Sequence, residues 1–148
     1  MAASLTSGCA RPDPARSRYI AAMLSDEFRR AAEAKDFSQG ADLFSDDVVF
    51  RSPVVFKPYE GKAALEVLLT AVTQIFEDFR YVDQVETGNT AVLVFSARVG
   101  DRELDGVDIL RFDEEGRIAE MIVMVRPMSG MHALAEAMQR KLEEAGAI

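Results

Sequence analysis

The sequence predicts an α+β domain, and three observations carry the prediction. The stretch 104–127, LDGVDILRFDEEGRIAEMIVMVRP, reads as two strands joined at Asp113-Glu114-Glu115-Gly116. Gly116 supplies the positive φ that a short hairpin connection needs. Segments with helical apolar spacing stand before and after a run of consecutive strand patterns, so helices and strands are segregated along the chain. Finally, both faces of the hairpin are apolar: Leu104, Gly106, Leu110 and Phe112 share one face of the first strand, Val107 and Ile109 the other. A sheet with two apolar faces needs two covers, and one carboxylate, Asp108, stands on the first of these rows.

Taken in order, residues 1–17 carry small residues, two prolines and no periodicity, and are expected to form a mobile tail ahead of a single domain over 18–148. Ser7-Gly8-Cys9 lacks the charged and apolar segments of a lipoprotein leader, and no 18-residue apolar run is present. A cytoplasmic location is the default. Ile20, Leu24, Phe28 and Ala31 predict a helix over 17–34. Asp36 is the expected N-cap of a short second helix carrying Phe37, Leu43 and Phe44. Ser45-Asp46-Asp47 reads as a turn and 48–52 as the first strand, halted by Pro53. The segment 52–61, with two prolines and Val54, Val55, Phe56 and Tyr59, has the character of a lid.

A third helix over 62–76 buries Leu65, Leu68, Leu69, Val72 and Phe76 on one stripe. Strands follow over 79–87 and 90–99, with turns at Gly88-Asn89 and Gly100-Asp101, leading into the hairpin. A last helix, capped by Ser129, carries Met131, Leu134, Ala135, Met138 and Leu142 at core spacing.

The composition excludes several classes of function. With 148 residues, 49% hydrophobic and 28% charged, the chain matches one soluble globular domain. Its net charge of -8, without a Lys/Arg cluster, argues against nucleic acid and anionic membrane as partners. A single cysteine, Cys9, and a single histidine, His132, leave no intramolecular disulfide and no ordinary zinc site. Nothing spaces the carboxylates as a metal site, and no cofactor is expected.

The order helix, helix, strand, loop, helix and four antiparallel strands resembles the nuclear transport factor 2-like superfamily, the SnoaL-like or cystatin-like α+β cone. Asp36-Phe37 through Leu43-Phe44-Ser45-Asp46-Asp47-Val48 is similar to its Gly-Asp … Leu-Phe-Ala-Asp-Asp-Val signature. Ser52-Pro53 … Pro58 … Gly61 resembles the loop into its third helix, and Gly116-Arg117-Ile118 its Gly-Lys-Ile turn. The resemblance implies a cone-shaped α+β barrel, with a strongly curved, antiparallel or mixed sheet wrapped around three helices, plus a C-terminal helix. It also implies a homodimer formed through the outer face of the sheet, which would cover the second apolar face.

Among such proteins, the ketosteroid isomerases place a general base directly before the proline matching Pro53, where this chain has Ser52. Their first-helix tyrosine matches Phe28, and their neutral carboxylic acid aligns with Asp108. One of the three survives, which disfavours steroid isomerisation by that residue set. Asp108 remains the best single catalytic candidate, because a carboxyl on an apolar row is desolvated and its pKa raised. Its bland alternative is a structural acid paired with an arginine, or one bonded to backbone amides near Gly106. SnoaL-like cyclases and limonene-epoxide hydrolases have similar folds and use pocket carboxylates for proton transfer. The hydrolase pattern needs an arginine too, for which Arg98, Arg111 and Arg126 are candidates, Arg111 with the wrong parity.

His132 is read as a solvent-facing or subunit-contact residue rather than a catalytic one, and Tyr19 and Tyr59 as hydroxyls open to a ligand, with packing as the bland alternative. The expected ligand is a small hydrophobic molecule with one or two polar groups, held by Phe28, Phe50, Ser52, Tyr59, Leu68, Leu110, Met121 and Val123. Two functions follow: a cofactor-independent isomerase, cyclase or hydrolase using Asp108, or a non-catalytic ligand-binding or dimerisation module.

Overall fold

In chain order the elements are α1 (Asp26–Glu33), β1 (Phe44–Arg51), β2 (Tyr59–Glu60), α2 (Lys62–Ile75), β3 (Glu77–Thr87), β4 (Thr90–Val99), β5 (Arg102–Phe112), β6 (Ile118–Arg126) and α3 (Met128–Glu144). They belong to a computed structural model that describes residues 23–38 and 42–147. The strands form one six-stranded sheet in the order β2-β1-β6-β5-β4-β3. β3 to β6 make an antiparallel meander, because each is joined to the next by a tight turn, while β1 lies parallel to β6. This is the predicted α+β architecture, a mixed sheet packed on helices. The sheet stays open rather than closing into a barrel, with β2 and β3 as its edges.

Alternation sorts the side chains of the meander. Ala91, Leu93, Phe95 and Ala97 of β4 and Leu104, Gly106, Asp108, Leu110 and Phe112 of β5 are buried on the inner face, toward the helices. On β6 a register shift after Arg111 pairs Phe112 with Ile118 and Leu110 with Met121. That irregularity brings Ile118, Met121, Val123 and Val125 to the inner side, where strict alternation would have separated Ile118 from Met121. At the β5–β6 turn, Gly116 has φ 78° and its N–H donates to Asp113 O at 3.1 Å. Asp113 Oδ1 accepts the N–H groups of Glu115 and Arg117, so the turn is held from within.

Two helices are fixed to the sheet by identifiable contacts. The N-terminus of α1 is tied to β3: Glu86 accepts the Leu24 N–H and the Ser25 N–H, each at 3.0 Å, one per carboxylate oxygen. A carboxylate from another element thus satisfies N–H groups that open a helix. α3 lies close on β5 at Gly130, where a Cβ would stand 2.8 Å from that of Leu104.

Several local expectations are corrected. α1 spans Asp26–Glu33 instead of 17–34; residues 17–22 lie outside the described residues, and Leu24 and Ser25 form a turn that leads into the helix. The tail over 1–17 lies wholly outside the described residues. Among the described residues no helix follows Asp36, residues 39–41 lying outside them: the Asp36 Oδ1 accepts both the N–H and the hydroxyl of Ser38, a local turn that competes with helix capping. Phe44, paired with Ile118, already belongs to β1, as do Ser45, Asp46 and Asp47, which lie in the register irregularity between Phe44 and Val49. Their outward carboxylates, at 46 and 47, are exposed. Ser129 lies inside α3, which begins at Met128 after Pro127. Among the described residues no helix is long and apolar enough to cross a membrane.

Candidate active site

The concave face of the sheet and the three helices enclose a cavity of about 420 Å³. Its wall is mostly aromatic and aliphatic. α1 contributes Phe28 and Ala32, α2 contributes Leu68, Leu69 and Val72, and α3 contributes Leu134, Met138 and Leu142. From the sheet come Phe50, Tyr59, Phe79, Tyr81, Phe95, Asp108, Met121 and Val123, and from the segment between β1 and β2 come Ser52, Val54 and Val55.

The polar centre is a pair. The Tyr81 hydroxyl donates to Asp108 Oδ2 at 2.6 Å, and both side chains are buried, Asp108 at 4% exposure. β3 and β5 are not neighbours, since β4 lies between them. The register explains how they meet: Tyr81 pairs with Phe95, which pairs with Gly106, while Asp108 lies on the next inner row opposite Leu93. The Phe95 ring lies over Gly106 so closely that a Cβ there would stand 2.1 Å from Phe95 Cζ. Tyr81 meets that ring edge-on, with centroids 6.2 Å apart, and its phenol reaches across β4 to the carboxyl.

Burial dominates the electrostatics of the pair. Removal from water pushes the Asp108 carboxyl up to about 7, a shift that the Tyr81 hydrogen bond opposes because it favours the charged form. Tyr81 is itself held well above its ordinary value, first by burial and then by the Asp108 charge. Arg29 on α1 lies against the outer side of the ring, its Cζ 5.8 Å from the centroid, anchored by Glu33 and by Gln84 Oε1 at 2.9 Å. Near neutral pH the carboxyl is therefore divided between its acid and base forms, whereas the phenol stays protonated.

Eight of the residues singled out in the sequence lie on the cavity wall: Phe28, Phe50, Ser52, Tyr59, Leu68, Asp108, Met121 and Val123. Leu110 does not; it shares the Asp108 face but is fully buried in the core, where β5 passes beneath the helices. The arginine expectation is corrected as well. Arg98 pairs with Glu77 and Asp78, Arg111 with Glu120, and Arg126 with Asp105, all at the protein surface. Asp108 is bonded to a phenol instead of a guanidinium. His132 is exposed on α3.

Tyr81 is the residue that reading the sequence missed. Its signal was present: it shares parity with Phe79 on an apolar strand face, the same polar-on-apolar anomaly that singled out Asp108. Among the described residues, no group of three His, Cys, Asp or Glu side chains is arranged to hold a metal ion.

With this geometry in place, comparison with known proteins identifies the class. Residues 26–121 match the SnoaL-like domain, and the chain belongs to that family, within the nuclear transport factor 2-like superfamily. Its structure is similar to that of a steroid delta-isomerase from Pseudomonas aeruginosa, with 45% identity and a TM-score of 0.80 over 84% of this chain and 93% of that one. It is also similar to an uncharacterised bacterial protein with a cystatin-like fold from Silicibacter pomeroyi, at 28% identity and a TM-score of 0.78, covering 81% of this chain and 85% of that one. An epoxide hydrolase/cyclase-like enzyme with a role in pyran ring formation in the polyether salinomycin shares the fold at 18% identity and a TM-score of 0.60, over 72% of this chain and 89% of that one. No curated protein matches.

Proposed function

We propose that this protein binds a small hydrophobic molecule carrying a carbonyl or similar oxygen, and that Asp108 moves a proton on it without a cofactor. The observation that supports this reading most is the 2.6 Å bond from the Tyr81 hydroxyl to the buried Asp108 carboxyl at the wall of an apolar cavity. A carboxyl poised near neutrality takes a proton from a carbon beside the carbonyl and returns it to a second carbon, a 1,3 shift with no net change in charge. The Tyr81 hydroxyl, a donor throughout, steadies the carboxylate before the first transfer and after the second; between them Asp108 holds the proton and the charge lies on the substrate enolate.

The likeness to a steroid delta-isomerase supports isomerisation as the reaction class. Ser52 stands where the resemblance would have a base, so here a single carboxyl serves both half-reactions. The test uses a β,γ-unsaturated ketosteroid such as androst-5-ene-3,17-dione, followed by the absorbance of the conjugated enone. Asp108→Asn is expected to lower kcat by about 100-fold, with affinity for the product within about threefold of wild type. Binding without turnover by the wild type would leave a non-catalytic ligand-binding module, the second reading, which the missing base at position 52 favours.

The same proposal includes a homodimer through the outer face of the sheet. Two apolar rows run across it, Val85–Val92–Ile109–Ile122 and Val94–Val107–Met124, with Val85 and Met124 more than half exposed. They are bordered by charged residues, Arg51, Arg111 and Glu120 on one side and Arg80, Asp105 and Arg126 on the other. An apolar centre with a polar rim is the composition of a subunit interface.

A further inference from the structure

We infer that Ser52 is a committed hydrogen-bond donor to the ligand, so that the cavity selects hydrophobic molecules carrying a second acceptor oxygen besides the carbonyl next to the carbon that Asp108 deprotonates. This rests on the proposal that the cavity holds a small molecule.

The local bonding at Ser52 decides what its hydroxyl can do. The N–H of Val54 donates to Ser52 Oγ at 2.9 Å and that of Val55 at 3.3 Å. A serine oxygen has two lone pairs and one proton. With both lone pairs facing these amides, the hydroxyl has only its proton left to offer, and among the described residues none receives it. Ser52 lies on the cavity wall, partly buried, where a ligand oxygen is the natural acceptor.

The sheet register sets the spacing. Phe50 pairs with Met121 and Arg51 with Ile122; Ser52 is the first residue beyond β1, on the side of Val123, which pairs with Asp108. All three residues line the cavity. Ser52 and Asp108 therefore stand two strand spacings apart on one inner row, about 10 Å between backbones. Both side chains project from this row into the cavity, so one small ligand reaches both. Aromatic walls at Phe28, Phe50, Phe76 and Phe95 suit a flat polycyclic body between these anchors.

The two roles of Ser52, pinning its own loop and donating to a ligand, are separable by substitution. Both Ser52→Asn and Ser52→Asp keep a side-chain oxygen for the Val54 and Val55 amides, but only asparagine keeps a donor. The probes are anthraquinone, with two opposed carbonyls, and anthrone, in which one carbonyl is a methylene, titrated anaerobically against the full chain by fluorescence quenching. The wild type and Ser52→Asn are expected to bind anthraquinone about tenfold more tightly than anthrone, and Ser52→Asp to lose that preference. Equal affinity of the wild type for both ketones, or an undiminished preference in Ser52→Asp, overturns the inference while the ligand-binding proposal stands. If neither ketone binds any of the three proteins, both fall.

Discussion

The Tyr81 hydroxyl donates to Asp108 Oδ2 at 2.6 Å, across an intervening strand and inside an apolar cavity. Because the donated bond favours the carboxylate, its removal has a definite sign. Tyr81→Phe is expected to raise the Asp108 pKa above its value of about 7, by about one unit for a hydrogen bond to a charged group. The pH midpoint of ligand binding, or the carboxyl carbon resonance of Asp108, measures it. A midpoint that stays or moves down would mean that the phenol does not act on the charged form.

Burial of Asp108 also makes stability depend on pH. Its folded pKa, about 7, lies above the ordinary 3.8, so the folded state holds the proton more tightly than the unfolded state. The resulting stability is fully present below about pH 4 and is lost as pH rises through about 7, by about 4 kcal/mol for a shift of three units. Asp108→Asn, which has nothing to ionise, is expected to be less sensitive to pH by that amount over the same window. Urea unfolding of both proteins at about pH 4.5 and pH 8 checks this; parallel pH curves would place the carboxyl in contact with water.

Gly106 is a positioning residue for the pair. An alanine Cβ would stand 2.1 Å from Phe95 Cζ, and that ring is confined by Phe76, Phe79 and Tyr81. Gly106→Ala is expected to cost about 1–3 kcal/mol, as overpacking does, and to move the Asp108 titration in the direction of Tyr81→Phe. Adding Phe95→Leu makes room for the methyl group and should recover part of the stability. An alanine accepted without loss in thermal melts would show that the ring moves freely.

The outer sheet face predicts a concentration-dependent assembly. Val107→Lys places a charge in the middle of the row that contains Val94 and Met124 and, with the side chain half-buried already in the single chain, leaves the cavity face untouched. Sedimentation is expected to give a dimer for the wild type and a monomer for the variant, with ligand affinity retained. A wild type that sediments as a monomer at every concentration would remove the homodimer from the proposal.

Much of this fold was legible from residue patterns. Period-two alternation with glycine turns marked the four long strands, and helical spacing marked α2 and α3, because those signals are local and agree with the tertiary result. Asp108 stood out because a carboxylate on an apolar row is costly wherever that row is buried. The segment around Asp36 to Asp47 misled, since its turn and cap propensities are weak and β1 begins within it, at Phe44 opposite Ile118.

What the sequence by itself determined was the class of architecture and the buried acid. Only the tertiary structure decided the acid's partner. The sequence offered arginines, all of which remain at the surface with other carboxylates, while a tyrosine two strands away reaches over Phe95 and Gly106. The physical reason is that pairing across a sheet depends on register, on irregularities such as those at Tyr81/Asp83 and Arg111/Phe112, and on which position lacks a side chain. None of these is encoded in the neighbourhood of the residues they bring together.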